Sequence, residues 1–205
     1  MSSRILILLS LTAFVTACAT TGEKPHPKAR IDVQEQVGFT ITEPVTVSDN
    51  VRVHYEQALV YLQQGEHERG TALLQNVVEA APYVSGPRID LGIAYHASGD
   101  LDTAETHLRQ ALELNPDHPM VHNELGIIYR KTGRFADARR SYETALAIYP
   151  GYHHARRNLG VLCDLYLADF DCALESYEAY MTTVPGDAQA TMWIADLRNR
   201  MSQEN

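Results

Sequence analysis

The side chains able to do chemistry are nine histidines, three cysteines and a surplus of carboxylates. Histidine could ligate zinc or move protons. His118 and His122 stand four apart, and His153 and His154 are adjacent. Pro119 separates His118 from any helix that carries His122, so the two do not share a helical face. No HExxH, CxxC or carboxylate–histidine cluster accompanies them. There is no GxSxG elbow, no phosphate-binding P-loop and no GxGxxG between a strand and a helix. The carboxylates fall where wet helix surfaces are expected, not in acid–base pairs. These residues nominate no catalytic set, no metal site and no cofactor, so the chain reads as a non-enzyme. The rival reading is a metal-binding or enzymatic protein that uses its histidines, and zinc titration would separate the two.

Whatever chemistry remains must be positioned by a repeat. From Ser85 to Pro150 the same residue type returns at an offset of 34. Leu91-Gly92 becomes Leu125-Gly126, Tyr95 becomes Tyr129, and Gly99 becomes Gly133. Ala104 becomes Ala138, Ala111 becomes Ala145, and Pro116 becomes Pro150. Within one copy, Ile89, Leu91, Ile93 and Ala94 have helical spacing up to Ser98. Gly99-Asp100 interrupts, and Leu101, Ala104, Leu108, Ala111 and Leu112 then share a second helical face. That pattern describes two antiparallel helices joined by a tight turn. Gly92 lies in mid-helix, where glycine costs roughly 1 kcal/mol against alanine, so a close helix approach is expected there.

This order of large, small and helix-breaking residues at a period of 34 resembles the tetratricopeptide (TPR) repeat. The resemblance implies an all-α fold, a superhelix of antiparallel helix hairpins (an α-solenoid) ending in a capping helix. Four units are expected in residues 49–185, at 51–82, 85–116, 119–150 and 153–185, with the cap and tail in 186–205. The first unit departs from the pattern at Gly70, which stands in an alanine position. The fourth carries one extra residue between Gly160 and Ala173, either between its helices or within the first. Cys163 and Cys172 flank that insertion. In an antiparallel pair that bends near Leu167-Ala168 they would face each other, as a disulfide or as two small core residues.

Residues 1–17 read as a targeting segment: Arg4, then an apolar run from Ile5 to Val15 that is too short to span a bilayer. Val15-Thr16-Ala17-Cys18 resembles the lipobox of bacterial lipoproteins. The resemblance implies cleavage before Cys18, lipidation of that cysteine and a membrane anchor, and Ala19 after it implies the outer membrane, facing the periplasm. Loss of Arg4 takes the net charge from −9 to −10. So acidic a chain does not suit nucleic acid or anionic lipid headgroups. Residues 18–48 then form a polar, proline-containing tether, in which Val37, Phe39 and Ile41 alternate as a short extended segment would.

In TPR proteins the first helix of each unit lines a concave groove that takes peptides or helices. By that resemblance the lining includes Tyr55, Ile89, Ile93, His96, Asn123, Ile127, Arg130, Lys131 and Arg157. Ile93 and Ile127 would form an apolar floor, Asn123 would supply a donor, and the three cations would share one inner surface. The expected partner is a protein or peptide segment with apolar anchors and acidic groups. The layout implies a non-catalytic scaffold for envelope proteins. It is similar to lipoproteins that pilot secretins of type IV pili, and also to those that recruit peptidoglycan enzymes. A third reading is an oligomer in which the groove takes the chain's own residues 31–47.

Overall fold

The computed structural model describes residues 30–34 and 38–203. The expected lipid site Cys18, the targeting segment and Val37 lie outside the described residues. Four hairpins follow one another, each an inner helix and an outer helix. They are α1 (Asp49–Gln63) with α2 (His67–Ala80), and α3 (Gly86–Ser98) with α4 (Leu101–Leu114). Next come α5 (Pro119–Lys131) with α6 (Phe135–Ile148), and α7 (His153–Leu162) with α8 (Phe170–Thr183). A last helix, α9 (Ala188–Gln203), packs on α8. Each outer helix also meets the next inner one, and α3 touches α5 as α5 touches α7. The inner helices therefore make one wall of an all-α solenoid. Among the described residues no helix is long and apolar enough to cross a membrane.

The small residues sit where helices nearly touch. A Cβ at Gly126 would lie 2.4 Å from Cε1 of the buried Tyr142, and one at Gly160 would lie 2.5 Å from Cε1 of Tyr177. In the first hairpin the small residue has changed sides. Ala58 takes the glycine position and Gly70 the alanine position, where a Cβ would lie 2.6 Å from Leu62 Cδ2. The close approach is kept by a swap across the contact. The turn residue Gly133 has φ +76, a left-handed conformation that costs other residues energy. Tyr95 bridges hairpins: its ring stacks on His107 at 5.5 Å, and its hydroxyl accepts from Gln75 Nε2 at 2.8 Å.

The extra residue of the fourth unit is absorbed in a π-helical turn, Cys163–Leu167, which extends the end of α7. The amide of Asp169 donates to the Cys163 carbonyl at 3.0 Å, and Ala168 takes φ 50. A π-turn accommodates one added residue without shifting either helix's face. Cys163 is fully buried here and is joined to Cys172 by a disulfide, with Cα atoms 5.9 Å apart. Arg139 Nη2 donates to Asp169 Oδ2 at 2.5 Å beside it. Replacing both cysteines with alanine is expected to cost about 2–3 kcal/mol, because the bridge removes loop entropy from the unfolded chain. Denaturant midpoints of the oxidised protein and the double variant measure this; coincident midpoints would show that the bridge stabilises nothing.

The charged end of α9 faces solvent at Asp196 and Arg198 and is also tied back to the fourth hairpin. Arg200 Nη2 donates to Asp164 Oδ1 at 2.5 Å, and Arg198 Nη2 to Glu178 Oε1 at 2.6 Å. Leu197 is buried, and Trp193 lies 5.3 Å from the Tyr177 ring. The reason is positional. α9 follows α8 as an inner helix would, so the neighbouring carboxylates reach its basic residues.

Ahead of the solenoid, β1 (Arg30–Gln34) and β2 (Gly38–Thr42) form an antiparallel hairpin with Ile31 opposite Ile41. Residues 43–47 continue to Ser48, whose hydroxyl caps α1 by accepting from the Val51 amide at 3.4 Å. Phe39 sets its ring edge-on against Tyr149, Tyr152 and His118 at 5.4, 5.7 and 6.3 Å. Burial pushes the His118 imidazole down to about 4, so the ring is neutral at pH 7.

Candidate partner-binding groove

The inner wall begins at α1, where Tyr55 is half-buried and donates its hydroxyl to Asp90 Oδ2 of α3 at 2.5 Å. Burial raises the Asp90 carboxyl above its ordinary range, and the Tyr55 hydrogen bond opposes that shift. Ile89, one residue earlier, is 3% exposed. It belongs to the core as much as to the wall, which corrects its place as an open lining residue. Ile89 packs into the core with Ala104, Leu108 and Val121, and Ile41, Glu43, Val45 and Val47 share a cleft with it and Tyr55.

The middle of the wall holds a polar chain between α3 and α5. Lys131 Nζ donates to His96 Nε2 at 2.8 Å, and His96 Nδ1 lies 3.4 Å from Glu124 Oε2. A ring that carries its proton on Nδ1 serves both contacts. Burial raises the Glu124 carboxyl, against the pull of His96, Asn123 and Lys131. Lys131 is thus hydrogen-bonded to His96 while its side chain stays exposed. Asn123, expected as a donor to a partner, is 3% exposed. Its amide donates to Glu124 Oε1 at 3.3 Å, and its carbonyl accepts from Asn158 Nδ2 at 2.9 Å. It links hairpins rather than greeting a ligand, because an unpaired amide there would be costly. Ile93 and Ile127 are half-buried against the core.

Arg130 and Arg157 lie against aromatic rings where Lys131 lies against His96; none of the three forms an ion pair among the described residues. Arg130 Nη1 donates to the Tyr166 hydroxyl at 3.1 Å, Tyr142 also acts on its guanidinium, and among the described residues its buried Nε has no hydrogen-bond partner. The Arg157 guanidinium lies 5.3 Å over the Trp193 ring. Each arginine is steadied by an aromatic ring 36 residues further along, on the next inner segment. An aromatic face attracts a cation without neutralising it.

The repeat pattern named Arg130 and Arg157 as lining residues but did not single out Asp90, Glu124, Asn158, Tyr166 or Trp193. The signal was present at the same period. Glu56, Asp90, Glu124 and Asn158 occupy one repeat position, next to Tyr55, Ile89, Asn123 and Arg157. Tyr55 and Asn123 bond across to Asp90 and Asn158 of the following unit. For metal chemistry, the one ligand-type grouping among the described residues is Cys163, Asp169 and Cys172. It contains no histidine, and both sulfurs are in the disulfide.

No curated protein matches the chain. Solved structures do. Residues 41–end of MamA from Desulfovibrio magneticus RS-1 superpose with a TM-score of 0.69 at 20% identity, covering 77% of this chain and 88% of that one. PilF of Pseudomonas aeruginosa gives 0.67 at 22%, covering 76% and 71%. The first TPR of Spaghetti (RPAP3), bound to an HSP90 peptide, gives 0.55 at 19%, covering 58% and 93%. At these identities the likeness is one of fold. Models of the tetratricopeptide repeat match residues 51–76, 89–153 and 125–163. With its hairpins stacked at that period, the chain is a tetratricopeptide-repeat protein.

Proposed function

We propose that the chain is a non-catalytic interaction scaffold that recruits an envelope protein through the inner wall of α5 and α7. The observation that carries this reading is the pair Arg130 and Arg157. Both are held in place by aromatic rings, both lack an ion pair among the described residues, and the half-buried Ile93 and Ile127 lie on the same series of inner helices. A positioned cation beside apolar surface suits a segment with a carboxylate and an apolar anchor. A neighbour of the same fold holds a peptide, which agrees with such a use. Capture from detergent-solubilised envelopes by the full chain, and by a chain with both arginines reversed in charge, tests the reading. Unchanged capture by the variant would overturn it.

The scaffold is further proposed to be tethered to the outer membrane through a lipidated Cys18, on the strength of the lipobox-like Val15-Thr16-Ala17-Cys18. Two or more acyl chains give stable anchoring, where a single chain is marginal. Cys18→Ser is expected to move the protein out of the outer-membrane fraction. Retention there after a salt wash would place the anchor elsewhere.

A further inference from the structure

Residues 39–47 sit on the solenoid in the manner of an extended ligand. Ile41, Glu43, Val45 and Val47 are half-buried, whereas Thr42, Pro44 and Thr46 are exposed. That is the two-residue period of an extended chain, and Pro44 biases Glu43 toward that conformation. The Glu43 carboxylate accepts from the Ser85 amide at 3.0 and 3.3 Å and from the Ser85 hydroxyl. Ser85 is the buried N-cap of α3, where amides without helical partners and the helix dipole favour an anion. The Tyr83 hydroxyl donates to the Thr46 carbonyl at 3.5 Å. The segment thus runs along the rim from Tyr149 and Tyr152, past His118 and Ser85, to the start of α1, opposite to the order of the hairpins.

Its fit is incomplete. A cleft of about 300 Å3 remains between the segment and the helices, lined mainly by Val45, Val47, Val51, Val77, Tyr55 and Ile89. The cleft is open to solvent, and ligand pockets start at about this volume. Val45 and Val47, two short side chains, line this cleft together with the helices. The segment is therefore held by one carboxylate and one phenylalanine more than by filling its site. Being tethered, it competes at a high effective concentration even with a poor fit.

We propose that residues 39–47 are a resident pseudo-ligand. In their place the rim of the first two hairpins takes an extended segment of a partner protein, with the same apolar–acidic–apolar–apolar alternation and bulkier side chains where Val45 and Val47 stand. The proposal rests on the reading of the solenoid as a binder of protein segments, but it uses α1 to α3 where that reading uses α5 and α7. The probe is a fluorescent peptide copying residues 38–48 with Val45→Leu and Val47→Phe. It is titrated by anisotropy into the full chain, wild type and Glu43→Gln. Loss of the charge-assisted bonds should free the rim, so the variant should bind roughly tenfold tighter than wild type. Phe39→Ala loosens the segment at its other end and should give a gain in the same direction, so the test does not hang on one variant. The same peptide with Glu43→Gln should bind roughly tenfold more weakly to either variant chain. Equal binding to all three chains, or indifference to the peptide's carboxylate, would overturn the proposal. So would a doubled solution mass of the Glu43→Gln chain without peptide, which would make a second copy the occupant. Capture through Arg130 and Arg157 reads a different surface and would stand after either of these failures.

Discussion

Gly126→Leu is expected to lower stability by about 3 kcal/mol or more, at the upper end for overpacking. The added Cβ alone would lie 2.4 Å from Tyr142 Cε1, and 2.6 and 2.9 Å from two other atoms of that ring. Tyr142 is fully buried, so its ring has no free space to enter. Relief would have to come from separating α5 and α6, which form one of the closest helix pairs in the molecule. For a chain of this size the loss corresponds to a melting-temperature drop of roughly 6–12 °C. Gly133→Ala is the matched comparison. Nothing lies within 4 Å of its added Cβ, and only φ +76 resists the change, so about 1–2 kcal/mol is expected. Thermal melts of the two variants separate a steric cost from a conformational one. Equal, small losses would show that α5 and α6 do not nearly touch at Gly126.

Arg130→Glu combined with Arg157→Glu is expected to abolish partner capture while leaving the helical circular dichroism of the chain intact. Both side chains reach the surface of inner helices, and neither closes an ion pair whose loss would strand a carboxylate. This contrasts with Arg200, whose partner Asp164 has a side chain only 6% exposed; removing that arginine would leave a buried charge. Arg134 is likewise shared with Glu105, whose carboxyl it holds below the ordinary carboxylate range. Reversing two cations changes the local charge by four units, so an acidic segment would meet repulsion where it met attraction. Such charges act mainly on encounter and specificity, and at ordinary salt they are screened over about 8–10 Å. Residual binding by the variant should therefore lose the salt dependence of the wild type. Capture of the same proteins at the same salt sensitivity would remove the inner wall of α5 and α7 from the function.

The repeat made the solenoid legible before any coordinates. An offset of 34 that returns Leu-Gly, Tyr, Gly, Ala, Ala and Pro leaves a hairpin that buries too little alone and must stack on its copies. Periodicity also placed Arg130 and Arg157 on successive inner helices, α5 and α7, at different positions of the repeat. Composition made an extended run around Phe39 visible, although not where it would lie. Three things were decided only in three dimensions. Whether a polar residue on the wall faces a ligand or a neighbour depends on what the next hairpin offers. Asn123 finds Asn158, His96 finds Glu124 and Lys131, and Arg157 finds an aromatic ring. The added residue near Cys163 could have lengthened the turn; hydrogen bonding to the Cys163 carbonyl put it into the π-turn. And residues 39–47 carry no helical period tying them to any unit. Their seat on the rim follows from long-range partners, Ser85 for Glu43 and Tyr149 for Phe39, at separations that a local pattern does not encode.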